Sequence, residues 1–273
     1  MNVLDLFSGI GGFSLGLERA GMRTVAFCEI KPFCRALLRE RWPHVPCFDD
    51  ITRLRELNIG DIDVICGGFP CQDVSIAGDR AGLAGERSGL WVEMRRCVRT
   101  FRPRFVIVEN TTGLLNLGME TVIGDLASLG YDAVWHCIPA AAVGAAHPRD
   151  RVWIIAHYRG LGWPYGKIDH IEHSRQVLSD INRQLALSLE RQGEQQSNAD
   201  PLACFGARIP DGGPARAAYV GAALCGKLHG LPDHLDALEA LGNAVVPQIP
   251  EIIGRAIMSR SHIPHNREPD PCS

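Results

Sequence analysis

Among ten cysteines there is no Cys-x-x-Cys pair. That absence removes the usual framework of a structural zinc site. Cys28, Cys66 and Cys137 fall within or at the ends of apolar, strand-like runs, where a thiol behaves as a small hydrophobe. Reduced thiols in a cytoplasmic protein are therefore expected, and not a disulfide framework. No apolar run reaches the length of a membrane span, and no internal repeat is visible. Met1–Asp5 lacks the basic start of a secretory signal and reads as a strand that begins at once. His157, His170 and His173 have no common metal-ligand spacing and are read as surface residues, so no metal is expected. An excess of positive charge is missing too. The formal net charge of −3 argues mildly against a nucleic-acid partner. The distribution argues the other way, because six arginines stand between Arg87 and Arg104 against one acid, Glu93. Such a stripe either faces phosphates or is a solvated helix face.

What is present is an ordinary globular balance, 46% hydrophobic and 22% charged over 273 residues. Strand-like and helix-like segments alternate up to residue 157. Strands are predicted over 3–6, 24–28, 62–66, 105–108, 133–138 and 152–156. Helices are predicted over 13–20, 32–42, 90–101 and 121–129. This order predicts a mostly parallel sheet with helices on both faces. From residue 158 to about 231 the chain is rich in Gly, Pro, Gln and Ser and has no sustained period. It is expected to be a small loop-rich module with one helix near 177–191. Regular patterning returns at 235–241 and in a helix over 249–259, with Pro250 in its first turn. The polar, Pro-rich tail over 260–273 is expected to be disordered.

Chemistry-bearing residues gather at predicted strand ends. Asp5-Leu6-Phe7-Ser8-Gly9-Ile10-Gly11-Gly12-Phe13 puts a Gly-rich turn between the first strand and first helix, where backbone can approach a ligand. Glu29 ends the second strand, twenty residues after Gly9, and suits hydrogen bonds to ribose hydroxyls. The third glycine of the dinucleotide fingerprint is absent, which weakens a nicotinamide oxidoreductase reading. Asp50 could accept from an adenine amino group while Ile51 packs on the ring, but taken alone Asp50 reads better as a helix N-cap. Gly67-Gly68-Phe69-Pro70-Cys71-Gln72 leaves a strand at the carboxyl edge and presents Cys71 as a candidate nucleophile. Glu109 ends another buried strand, and a carboxylate there needs a partner or a task. Arg149 and Arg151 alternate just before a strand and project to one side. They reach the Cys71 edge only if that strand runs antiparallel to the rest.

Phe7-x-Gly9-x-Gly11, Pro70-Cys71-Gln72, Glu109-Asn110, Arg149-x-Arg151 and Gly242-Asn243-Ala244-Val245 occur in the order found in cytosine-C5 DNA methyltransferases. The chain resembles that family from residue 2 to about 157 and from about 232 to 257. The resemblance implies a Rossmann-like methyltransferase sheet, mostly parallel with one antiparallel strand, plus a small target-recognition module. Residues 1–157 and 232–259 would form the catalytic domain, and 158–231 the recognition insert. It further implies that Cys71 attacks C6 of a flipped-out cytosine and that Glu109 contacts N3 and the exocyclic amine. Arg149 and Arg151 would hold the base. Gln72 and Ser75 would lie near the DNA backbone. Phe7, Gly9, Gly11, Glu29, Ile30, Asp50, Ile51, Leu90, Asn243 and Val245 would surround S-adenosylmethionine. The implied partner is double-stranded DNA, met by a monomer, with a cognate restriction endonuclease as a further candidate. The Gly-bearing loop 72–89 is a candidate lid.

The chain also departs from the family pattern. Thr111 follows Glu109-Asn110 where Val or Pro is usual, and His147-Pro148 replaces the Gln-containing start of the arginine motif. Leu228–Pro232 is a weak remnant of an expected Arg-containing motif. Two alternatives follow from the resemblance, a non-catalytic DNA-binding relic and a tRNA cytosine methyltransferase. The Cys-Phe-Thr signature of the tRNA branch is absent.

Overall fold

The computed structural model describes residues 1–56, 59–70, 89–145, 149–159, 179–187, 240 and 242–261. Strand β1 (Asn2–Leu6) leads into helix α1 (Gly12–Arg19), and β2 (Arg23–Cys28) into α2 (Pro32–Arg41). A two-residue β3 (Cys47–Phe48) and a 3-10 turn (Ile51–Glu56) follow, then β4 (Val64–Gly67) and α3 (Gly89–Phe101). After β5 (Phe105–Thr111) come a single turn α4 (Leu114–Leu117), α5 (Met119–Ser128), β6 (Tyr131–Pro139) and β7 (Asp150–Tyr158). A C-terminal helix spans Gln248–Ser261.

The seven strands lie in the order β3-β2-β1-β4-β5-β7-β6. β1 pairs in parallel with β2 and β4, and β4 in parallel with β5. β7 is antiparallel to both of its neighbours, β5 and β6. The chain thus winds outward from β1 to β3, returns, and winds the other way from β4. The switch between β1 and β4 leaves a crevice at their carboxyl ends, which is where open sheets of this kind bind ligands.

Both faces of the sheet are covered, which is why β1 and β5 read as continuous apolar runs and not as alternating ones. Leu4, Leu6, Ile65, Val106 and Val108 face α3 and α5, where Trp91, Met94, Val98, Val122 and Leu126 are buried. Val3, Val64, Phe105, Ile107, Trp153 and Ile155 face Phe13 and Leu17 of α1 and Ile249, Ile253 and Ile257 of the C-terminal helix. The two helices of the second layer approach closely because glycines line their contact. A Cβ on Gly16 would overlap the Pro247 carbonyl, and one on Gly254 would stand 2.7 Å from the Ala20 Cβ. The helix expected near 177–191 is found over the described residues 179–187 and joins this layer. Ile181 and Leu185 are buried there, and Asn182 bonds the His136 ring at 2.7 Å.

Several expectations shift in detail. β3 carries no period in two residues and had no place in the predicted order. β5 runs three residues beyond Val108, because β7 keeps pairing with it as far as Thr111 opposite Arg151. Glu109 and Asn110 are therefore inside a strand, and Arg151 lies within β7. The C-terminal helix takes in Arg260 and Ser261, the first residues of the tail expected to be disordered. Arg87 of the arginine stripe lies outside the described residues, and the others lie on or after α3, which leads away from the carboxyl edge. Arg95 pairs with Asp125 at 2.7 Å, while Arg96 pairs with Glu93 and donates to the carbonyls of Ile51 and Thr52.

Candidate active site

The carboxyl edge is built first from the turn after β1. Phe7, Gly9 and Gly11 all have positive φ, at 54°, 53° and 86°. Glycine adopts this without strain, whereas Phe7 is held there at a cost of about 1–3 kcal/mol. Ser8 fixes the turn by donating its hydroxyl to the Asp5 carbonyl at 2.7 Å, and Gly11 N–H reaches the Ser8 carbonyl at 2.8 Å. Asp5 itself is fully buried and accepts from the Ser14 hydroxyl at 2.7 Å and its N–H at 3.3 Å. Its other oxygen, Oδ1, has no partner.

Burial pushes the Asp5 carboxyl up to about 7, opposed by the Ser14 bonds and reinforced by Glu29. The folded state therefore holds this proton more tightly than the unfolded chain, whose value is 3.8. The resulting contribution is present at low pH and is lost as pH rises from about 4 through about 7. Thermal unfolding across that window should show Tm falling with pH from this group, and Asp5→Asn should flatten that component. An unchanged pH slope in the variant would contradict the assignment.

Next to this turn, Glu29 sits at the end of β2 and is buried. Its oxygens accept from the N–H groups of Gly9 at 2.7 Å and Lys31 at 2.8 Å. Each carboxylate oxygen keeps a second lone pair for a ligand. Ile30 beside it is 76% exposed, and the side of Gly9 where a Cβ would point is open for 4 Å. Arg35 of α2 braces this corner by donating to the carbonyls of Glu29 and Ile30. Asp50 follows β3 and is partly exposed, with Oδ1 accepting from the Thr52 N–H at 2.8 Å and its hydroxyl at 2.6 Å. The capping role is thus realised, on a 3-10 turn. Ile51 is buried and Leu90 partly so, both within the core layer of α3. Asn243 is exposed, and Val245 lies against α1, where a Cβ on Gly12 would overlap its carbonyl.

The second half of the edge is formed by the ends of β4 and β5. Gly67 lies so close to β1 that a Cβ would be 2.6 Å from the Leu6 carbonyl. A Cβ on Gly68 would stand 3.0 Å from Glu109 Oε2, so only glycine lets the exit of β4 pass over that carboxylate without displacement. Glu109 is 7% exposed and pairs with Arg151, Nε to Oε1 at 3.1 Å. Beyond this ion pair Oε1 has no hydrogen-bond partner among the described residues. Burial raises the pKa of Glu109 against the opposing pull of Arg151 and then Arg149. Arg149 donates to the carbonyl of Gly242. Cys71, Gln72 and Ser75 lie outside the described residues, as do His147, Pro148, residues 72–88 and Leu228–Pro232. The exposed Pro70 ends the described part of the strand exit, directly before Cys71.

Asn110, quoted in the motif but given no task, ties these ends together. Its Nδ2 donates to the Phe69 carbonyl at 3.0 Å in a buried setting, and its Oδ1 accepts the Thr111 N–H at 2.8 Å. Asn110→Ala would leave the Phe69 carbonyl unpaired, a loss of about 1–3 kcal/mol in urea denaturation. A denaturation midpoint equal to that of the unmodified chain would contradict this role. Gly68, Asn110, Arg35 and the Asp5–Ser14 pair escape a sequence reading because their tasks lie in tertiary contacts. Only the doubled glycine at 67–68 signals close packing in advance.

A doubly wound sheet with an open acid-bearing corner at one strand end, and a buried carboxylate beside an arginine at the next, defines an α/β scaffold of the Rossmann-like methyltransferase kind. The chain belongs to a particular family of that class, since residues 1–199 match the model of the C-5 cytosine-specific DNA methylase family. Among curated relatives, a Type II methyltransferase of Bacillus subtilis, M2.BsuMI, is 37% identical over 57% of this chain and 42% of its own length. Another, M.HgiCII of Herpetosiphon aurantiacus, is 35% identical over 65% of this chain and likewise 42% of its own. The chain thus spans less than half of these relatives. Of solved structures, an E. coli prophage-encoded putative DNA modification methyltransferase superposes with a TM-score of 0.50 at 26% identity, covering 58% of this chain and 47% of that one. The S. pombe Dnmt2 methyltransferase superposes with a TM-score of 0.59 over 96% of this chain and 99% of its own at 15% identity, a likeness of fold. No helix among the described residues is long and apolar enough to cross a membrane, and no metal-binding cluster occurs among them.

Proposed function

We propose that this chain is a DNA (cytosine-5-)-methyltransferase using S-adenosylmethionine, with Cys71 as nucleophile and Glu109 as the acid on the target base. The observation that carries the reading is Glu109. It is a buried carboxylate whose Oε1 has only the Arg151 ion pair, and it lies under the Gly68 backbone that leads into Cys71.

The corner at Phe7–Gly11, Glu29, Ile30, Asp50 and Ile51 fits a nucleoside cofactor. It offers buried carboxylate lone pairs, an exposed apolar side chain and open space beside Gly9. Leu90, Asn243 and Val245 would complete it. S-adenosylmethionine, when bound, supplies an electrophilic methyl group. Cys71 as thiolate adds to C6 of cytosine, and the electron pair moves to C5, making it nucleophilic. Glu109 shares a proton with N3 as charge builds there, and its raised pKa keeps that proton available. Arg151 steadies the carboxylate and reaches toward the base. C5 would take the methyl group, the donor leaving as its neutral thioether; solvent water then accepts the C5 proton, the C5–H electrons restore the C5–C6 double bond, and the C6–S bond breaks to release Cys71 as thiolate. The base must leave the helix for this face to be reached, at a cost of a few kcal/mol of unstacking. Gln72 and Ser75 are assigned to the DNA backbone. The catalytic body is 1–157 and 232–259, and the helical segment 179–187 within the proposed recognition insert 158–231 packs on it.

Transfer of labelled methyl from S-adenosylmethionine tests the reading. Incorporation into duplex DNA, located by bisulfite sequencing, is expected. Incorporation into tRNA but not DNA, or into neither, would overturn it.

A further inference from the structure

We infer that Arg149 is a positioning residue that latches the segment 242–247 onto the base-side wall, joining the two halves of the site. This rests on the proposed function and departs from the expectation that Arg149 holds the base.

Three observations meet at this residue. Its guanidinium donates to the carbonyl of Gly242. It is also close enough to Arg151 and Glu109 for both charges to act on it, and its own pKa is lowered by burial and then by Arg151. The half-buried guanidinium of Arg149 finds its acceptor in a backbone carbonyl from a distant part of the chain. The segment it grips continues directly over α1. The Val245 carbonyl rests where Gly12 has no Cβ, and the Pro247 carbonyl where Gly16 has none. Gly12 opens α1 and closes the Gly9–Gly12 turn of the cofactor corner. A path therefore runs from the start of β7, through Arg149, to residues 242–247 and the turn after β1. Arg151 is aimed differently. It pairs with Glu109 and donates to the Asp150 carbonyl, so it touches the acid and not the latch.

A latch and a base contact make opposite predictions when DNA is absent. S-adenosylmethionine affinity is measured by calorimetry on the full chain without DNA, for the unmodified protein, Arg149→Met, Arg149→Lys and Arg151→Met. Methionine keeps apolar bulk and removes every donor, and lysine keeps the charge and a single donor nitrogen. Arg149→Met should weaken binding about tenfold, as expected for a lost charged hydrogen bond. Arg149→Lys should fall between it and the unmodified protein, and Arg151→Met should bind normally. Normal cofactor binding by Arg149→Met, with methyl transfer to DNA lost, would overturn the latch and leave Arg149 as a base contact. If Arg149→Met does not fold, normal binding by Arg149→Lys with impaired methyl transfer to DNA would overturn it equally. An unmodified chain that fails to bind S-adenosylmethionine at all would remove the proposed function itself, and the latch with it.

Discussion

Glu109→Gln is expected to lower kcat for methyl transfer by about 10²–10³-fold while leaving cofactor affinity intact. The amide matches the carboxyl in size, so the packing under Gly68 survives. What disappears is a titratable proton for cytosine N3. The sign of the pH effect follows from the raised pKa of Glu109. The protonated form is the working acid, so its share is full at low pH and falls as pH rises through the raised value. The unmodified enzyme should lose rate on the alkaline side, and Glu109→Gln should lose that limb. Arg151→Met removes the neighbouring charge that opposes the shift, so its limb should move to higher pH. Single-turnover rates against pH check all three. A Glu109→Gln enzyme with an unchanged profile would contradict the assignment.

Cys71→Ser should reduce methyl transfer by at least about 10⁴-fold. A serine hydroxyl stays protonated at neutral pH, whereas a thiol ionises readily and is intrinsically the better nucleophile. Cofactor affinity should not change, because the groups of the corner at Gly9, Glu29 and Ile30 follow β1 and β2, and the β4 exit that leads into Cys71 supplies none of them. Residual turnover within tenfold of the unmodified enzyme would show that another group forms the bond.

Much of this arrangement is legible in the residues, for identifiable reasons. The apolar runs of β1 and β5 and the helical period of α1 and α5 survive into the fold, because each segment buries the face its pattern marks. The alternation of Arg149 and Arg151 led to a condition on strand direction, and β7 meets it by running antiparallel to β5. What stays hidden depends on neighbours distant in sequence. β3 exists because Phe27 and Cys28 offer it partners. Asp50 is an acid at a strand end in either reading, and only its bonds to Thr52 show it capping a turn. The bond from Asn110 to Phe69 joins residues 41 positions apart, and no local pattern encodes it. The helix expected near 177–191 is present over 179–187, but its docking is not legible, because Ile181 and Leu185 pack on a layer built from residues distant in the chain.

The central claim, that Cys71 bonds to a cytosine which Glu109 activates, is tested most directly by trapping. Duplex DNA carrying 5-fluorocytosine throughout is incubated with the chain and S-adenosylmethionine, and the covalent complex is digested and read by mass spectrometry. Fluorine at C5 cannot leave as the proton does, so the adduct should persist, methylated and attached through the Cys71 sulfur, with far less of it in Glu109→Gln. A complex joined through a different cysteine, or none formed under conditions where the cofactor is bound, would contradict the account.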